Sequence, residues 1–130
     1  MGNITIREFK PPKWLKLTPD AYKRALNREA LALTKRDRKR GGTYAVKEAL
    51  RAVHCAFHNC DGTDPYDGMP LDEDQLRRIP MVAHRNQEPI AEYEILSRQT
   101  YLAKSDMTAD EYLNHCKAVV AFRETQKEKG

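Results

Sequence analysis

Tyr22, Leu26, Ala30 and Leu33 recur every three or four positions, and Lys23, Arg24, Arg28 and Lys35 fall on the opposite side. That period predicts a helix with one apolar and one basic face. Thr18 precedes Pro19 and Asp20, the order of an N-cap followed by a first helical turn, so the helix is expected to begin there. It closes with the basic run at 35–40, ahead of Gly41 and Gly42, a pair that stops helices. A second stripe, Val46, Leu50, Val53 and Phe57, has Lys47 and Arg51 outside it. It predicts a second helix from near Thr43 that runs out before Asp61 and Gly62.

Beyond this the period changes. Residues 61–68 are dense in turn formers, and 69–71 read as briefly extended. Residues 79–85 and 91–97 read as strands, and Asn86, Gln87, Glu88 and Pro89 between them predict a hairpin. Thr108 and Glu111 form a capping box. The helix behind it is expected to bury Tyr112, Leu113, Cys116, Val119 and Val120. Pro11 and Pro12 make residues 1–17 an arm, from which Trp14 and Leu15 reach the core. Residues 124–130 are polar and are expected to fray. The expectation is an α+β fold, mostly helical, with N-terminal helices, a β-hairpin and a C-terminal helix. It is read as one domain over 1–130, built of the arm (1–17), a basic helical part (18–60), a ββα part (61–123) and the tail (124–130).

Composition adds three points. Apolar residues are 40% and charged residues 32% of the 130, too apolar for wholesale disorder. Apolar runs are too short for a membrane span, and the N-terminus lacks the apolar core of an export signal. Gly2 follows Met1, but Ile6 stands where a myristoylation signal needs Ser or Thr. Three cysteines, Cys55, Cys60 and Cys116, suit a reducing compartment, so a cytoplasmic location is expected. The net charge of +4 is split unevenly: residues 1–59 hold 14 Lys and Arg against 5 acids, and residues 60–130 hold 9 against 14. A basic half suits a polyanion such as DNA. The alternative is that basic helices are solvated surface. Lys35, Arg36, Arg38, Lys39, Arg40, Lys47 and Arg51 are the candidate phosphate contacts. Few aromatics interleave with them, which disfavours single-strand stacking.

The segment Asp64-Pro65-Tyr66-Asp67-Gly68-Met69-Pro70-Leu71-Asp72 resembles the opening of HNH (ββα-metal, His-Me finger) endonuclease modules of bacterial or phage type. Met81-Val82-Ala83-His84-Arg85 sits where those modules carry a hydrophobic pair, an Asp and then His. Tyr101-Leu102-Ala103-Lys104-Ser105-Asp106-Met107-Thr108 is similar to their Asn-x-x-Lys-x-Asp-Leu-Thr stretch. Asp110-Glu111-Tyr112-Leu113-x-x-Cys116 is similar to their Glu-Glu-Phe-x-x-Leu-Cys ending. From Trp14 to His54 the chain also resembles the helical lead-in of uncharacterised bacterial proteins that end in such a module.

The resemblance implies a histidine general base on water and one divalent metal, Mg or Zn, neutralising charge on a scissile phosphate. His84 matches the base. Ala83 stands at the place of the acid beside it, Tyr101 at that of the helix Asn, and Ser97 at that of the metal-binding His. One role of four is filled, with Glu92, Glu94 and Asp106 as carboxylates that could substitute. General-base help alone is worth ~10²–10⁴-fold, far short of what phosphodiester cleavage requires. Against this stands His84 as a partly buried histidine at a strand end. His54, His58 and Cys60 form a weaker metal candidate, with His115 or Cys116 as a further ligand. The alternative makes Cys55 and Cys116 small core residues and the histidines surface.

The expected function is therefore nucleic-acid binding on an HNH-like scaffold, with metal-dependent DNA cleavage weak, altered or lost. The alternative is a non-enzymatic interaction or regulatory protein, such as a phage- or plasmid-type anti-defence factor. It would bind a protein through acidic residues Asp72, Glu73, Asp74, Glu92 and Glu94.

Overall fold

A computed structural model describes residues 9–129. The arm expected at 1–17 therefore lies outside the described residues up to position 8. Its remainder packs inward. Phe9 and Leu15 are buried, and the Trp14 Nε1–H donates to the Cys60 carbonyl at 2.9 Å.

Helix α1 spans Pro19–Lys39 and α2 spans Val46–Asn59. Thr18 caps α1, accepting from the Ala21 amide at 3.2 Å, with Pro19 in the first turn. The expected stripe is the buried face: Tyr22, Leu26, Ala30 and Leu33 pack on Ala49, Leu50, Val53, Ala56 and Phe57. After α1 the chain turns through Gly41 at φ +94°, and the Gly42 amide returns to the Asp37 carbonyl at 2.8 Å. A Cβ on Gly42 would lie 2.8 Å from the Pro89 carbonyl oxygen and 2.9 Å from that of Asp37, so only glycine fits where the hairpin loop meets the end of α1. Helix α2 begins at Val46, not near Thr43, because Tyr44 turns inward and Ala45 is extended.

The hairpin pairs β1 (Pro80–His84) with β2 (Tyr93–Ser97), antiparallel, from Pro80↔Ser97 to His84↔Tyr93. The strands stop one or two residues short of the expected ends. Val82, Tyr93 and Ile95 join the helical core. The 64–72 turn is tied to the base of this hairpin. Asp64 is fully buried and accepts from the amides of Ser97 (2.8 Å), Tyr66 (2.7 Å) and Asp67 (3.1 Å). Burial pushes its carboxyl up, but these amides more than offset that and hold it below the usual carboxylate range. Arg78 closes the turn with a two-pronged pair to Asp67, at 2.8 and 3.1 Å, and bonds to the Met69 and Pro70 carbonyls.

Two departures from expectation follow the hairpin. A seven-residue helix α3 (Arg98–Lys104) leaves β2 directly, capped by the Ser97 hydroxyl on the Thr100 amide at 3.1 Å. The next helix, α4 (Ala109–Lys129), opens with the expected Thr108–Glu111 capping box. It buries no residue, however: Leu113, Val119 and Val120 are 45%, 46% and 55% exposed. Tyr112 and Cys116 are only half-buried. Helix α4 runs to Lys129, through the polar residues from 124 onward. No helix among the described residues is long and apolar enough to cross a membrane.

Candidate functional site

Position 37 lies four residues after Leu33 and seven after Ala30, so α1 turns it toward the core. Asp37 is accordingly 1% exposed, although its neighbours Lys35, Arg36, Arg38, Lys39 and Arg40 are all exposed. His84 ends β1, where the hairpin lies against the end of α1. Its Nε2 sits 2.6 Å from Asp37 Oδ2. The Tyr44 hydroxyl donates to the same oxygen at 2.5 Å, and the Tyr93 hydroxyl donates to Tyr44 at 2.9 Å. Burial first, then the bond to Asp37, pushes the Tyr44 phenol far up, which keeps it a donor. Tyr93 also meets the His84 ring edge-on, with centroids 5.3 Å apart.

Two of these contacts, with Asp37 and with the Tyr93 ring, bear on the imidazole itself. With a carboxylate on Nε2, that nitrogen carries a proton and donates it to Asp37 Oδ2. The ring is one wall of a cleft of about 320 Å³ that also takes in Arg36, Arg40, Tyr101, Lys104 and Asp106. Asp37 Oδ1 is buried without a hydrogen-bond partner, and Arg40 Nη1 stands 3.6 Å from it. Arg40 also donates to the Gln87 carbonyl, which ties the end of α1 to the hairpin loop. The Lys104 side chain is buried, with Nζ donating to the Met107 carbonyl at 2.6 Å.

His84 is a partly buried strand-end histidine, held by Asp37. The positions beside it do not fit a metal of the HNH kind. Ala83 offers no donor. The Ser97 hydroxyl is buried in the cap of α3. Of the substitute carboxylates, Asp106 shares the cleft. Glu94 instead lines a second cleft with Cys60, Asp61 and Arg85, where it accepts from the Tyr66 hydroxyl at 3.3 Å. Glu92 lines neither cleft.

The candidate zinc set does not assemble. Among the described residues no three His, Cys, Asp or Glu side chains converge to hold a metal. His54 Nδ1 is 2.8 Å from the Tyr22 hydroxyl, and its ring stacks on Phe9 at 4.3 Å. His58 Nε2 bonds the Lys10 carbonyl at 2.6 Å. Cys60 bonds the Thr63 carbonyl and the Gly62 amide. Cys55, which the alternative to a metal site made a small core residue, is exposed, and His115 stands exposed on α4.

His54 still leaves a measurable signature. Burial, then neighbouring His58, lowers its pKa from 6.5 to about 4. Above pH 6.5 both folded and unfolded chains hold it neutral, so it has no effect there. As pH falls from 6.5 toward 4 the unfolded chain takes up a proton that the folded chain refuses, and stability declines. Urea midpoints taken at about pH 7 and about pH 4.5 should therefore differ. The difference should shrink in His54→Asn, whose amide oxygen replaces Nδ1 as acceptor for Tyr22.

The sequence reading missed Asp37, Tyr44 and Tyr93. A signal existed for Asp37: a lone acid in a basic run, on the apolar period of its helix. Comparison with protein-family models, curated proteins and solved structures gives no match for the chain.

Proposed function

We propose that the chain is a nucleic-acid-binding protein on an HNH-like scaffold, with metal-dependent DNA cleavage weak, altered or lost. One observation carries this. Lys35, Arg36, Arg38, Lys39 and Arg40 stand exposed around the end of α1. The acid among them, Asp37, is turned inward onto His84. Arg36 and Arg40 are one helical turn apart and both line the cleft that holds His84. Phosphate oxygens would be drawn to this rim, and such contacts give affinity with little sequence choice. Lys47 is exposed and Arg51 half-buried on α2, so Lys47 extends the basic surface more than Arg51 does. In this reading His84 with Asp37 is what remains of a hydrolytic site. A positioned base alone supplies ~10²–10⁴-fold, so turnover is slow or absent.

The test incubates the protein with supercoiled and linear DNA, with Mg²⁺, Mn²⁺, Zn²⁺ or EDTA, beside His84→Ala. Salt-sensitive DNA retention with no cleavage above the EDTA control is the expected result. Brisk metal-dependent nicking that disappears in His84→Ala would restore a full nuclease and overturn the loss of chemistry. Absence of retention even at low salt would sink the binding reading. A second reading, a non-enzymatic protein-interaction module, is favoured by α4 and its uncovered apolar side chains.

A further inference from the structure

Phe9 is 1% exposed, and its ring lies flat on His54 of α2, with centroids 4.3 Å apart and planes within 5°. The carbonyl of the next residue, Lys10, accepts from His58 Nε2 at 2.6 Å. His54 and His58 are one helical turn apart and their ring centroids lie 4.4 Å apart. Two neighbouring imidazoles therefore hold one short stretch of chain. Behind it the chain is anchored by other means. Pro11 and Pro12 stiffen the backbone, and the Leu15 amide donates to the Pro12 carbonyl at 3.1 Å. Trp14 donates to the Cys60 carbonyl, and Gly62 makes room for it, since a Cβ there would lie 3.0 Å from Trp14 Cβ.

We propose that residues 9–12 form a strap, rooted at Trp14, that lies on α2 while His54 is neutral and lifts when His54 takes up a proton. The surroundings of His54 favour the neutral ring from each packed element. From α1, the fully buried Tyr22 hydroxyl lies 2.8 Å from His54 Nδ1. A neutral ring accepts that hydroxyl's proton, whereas a charged ring carries its own proton there and leaves the Tyr22 proton without an acceptor. Burial, with a smaller push from Cys55, raises the Tyr22 phenol far above its ordinary value, so the hydroxyl keeps its proton. From α2 the neighbour is His58, which is itself cationic in acid. From the strap, Phe9 shields the ring from water, and the titratable residue beside it is Lys10, a cation. Among the described residues no carboxylate pairs with either imidazole.

The linkage has one sign. With the strap down, burial and then His58 lower the pKa of His54 from 6.5 to about 4. Lifting the strap returns the ring to water and its pKa toward 6.5. Above pH 6.5 both arrangements hold the ring neutral, and docking has its full strength. As pH falls toward 4 only the lifted arrangement binds the proton, so docking weakens by up to about 300-fold. The strap rests on one buried ring and one hydrogen bond, a hold that a factor of this size releases. The device is independent of nucleic-acid binding by α1.

NMR of the histidine rings in the full chain, followed from about pH 7.5 to about pH 3.5, tests it, with His54→Asn identifying the His54 signals. Wild-type His54 should titrate well below 6.5, and the nuclear Overhauser contact between Phe9 and His54 should fade along the same curve. The contact between Tyr22 and Phe57, whose rings lie 5.9 Å apart in the core, should persist. Phe9→Ala, which removes the cover, should raise the His54 midpoint by about one unit or more, a tenfold change in proton affinity. Phe9→Leu keeps an apolar cover. It should raise the midpoint by less, and it carries the comparison should Phe9→Ala fail to fold. A Phe9–His54 contact that survives protonation of His54 overturns the proposal. So does loss of the Tyr22–Phe57 contact at the same pH, which would make the event unfolding of the whole core, or a His54 midpoint that the Phe9 variants leave unmoved.

Discussion

Asp37→Ala is expected to lower the unfolding free energy by about 3–5 kcal/mol, the usual cost of removing one partner from a buried polar pair. The side chain is 1% exposed, and both its partners lose their bond at once. The Tyr44 hydroxyl loses its carboxylate acceptor and keeps only the Tyr93 hydroxyl beside it, and His84 Nε2 loses its acceptor. Each orphaned group costs about 1–3 kcal/mol. A domain of this size has only about 5–15 kcal/mol to lose, so the urea midpoint should move far with an unchanged slope. Asp37→Asn keeps the volume and one acceptor oxygen, and should cost roughly 1–2 kcal/mol. The nitrogen-15 spectrum supplies a second, independent readout. Wild-type His84 should show its proton on Nε2, and Asp37→Ala should release the ring to a tautomer mixture. A variant within about 1 kcal/mol of wild type would mean that Asp37 holds nothing together.

That Asp37 was not singled out beforehand says where sequence patterns lose resolution. The period that identified Tyr22, Leu26, Ala30 and Leu33 runs on to position 37 without a break. Attention to the surrounding cations made the whole run look solvated, whereas the helix sends one of its six residues inward. The caps were legible for a simpler reason. Thr18 with Pro19, and Thr108 with Glu111, act within one turn of themselves, so no distant packing can alter them. The hairpin was legible in the same way, though its strands run only over Pro80–His84 and Tyr93–Ser97.

Helices α3 and α4 failed for different reasons. Helix α3 is under two turns long, and its residue Leu102 is 60% exposed, so it has no amphipathic period to detect. Its cap, Ser97, is also the last residue of β2, so the signals of strand and helix overlap. Helix α4 groups its larger apolar residues between Tyr112 and Phe122, without a sustained apolar face over its 21 residues. Spacing reports only where such a group falls and not what lies against it. The same limit applies to the site. The 64–72 turn was recognised by its residues, yet Asp64 serves there to hold backbone amides of the hairpin and of the turn itself. The alternative roles weighed for Cys55, Cys60 and His58 turned on neighbours that only the fold supplies.

Removing Lys35, Arg36, Arg38 and Lys39 together as alanines is expected to abolish most DNA retention. The four are exposed, and among the described residues none takes part in an ion pair, so their charge is available to phosphate. Arg40 is left in place because it bonds Gln87 and faces Asp37. If each cation neutralises one phosphate, the slope of log affinity against log salt falls by about 3.6. Between roughly 50 and 200 mM salt the wild type should then lose about 10² more affinity than the variant. Three of the four lie in the last turn of α1, where cations favour the helix dipole, so stability should drop by about 1–2 kcal/mol, too little to unfold the chain. The change takes the formal charge from +4 to zero, which by itself weakens any attraction to DNA. A matched variant lacking Arg77, Arg85, Arg98 and Lys117, all exposed, makes the same change in charge elsewhere. If the α1 rim is the contact surface, the matched variant keeps most of the salt slope. Equal losses in both would reduce the effect to net charge, and the basic end of α1 would be solvated surface after all.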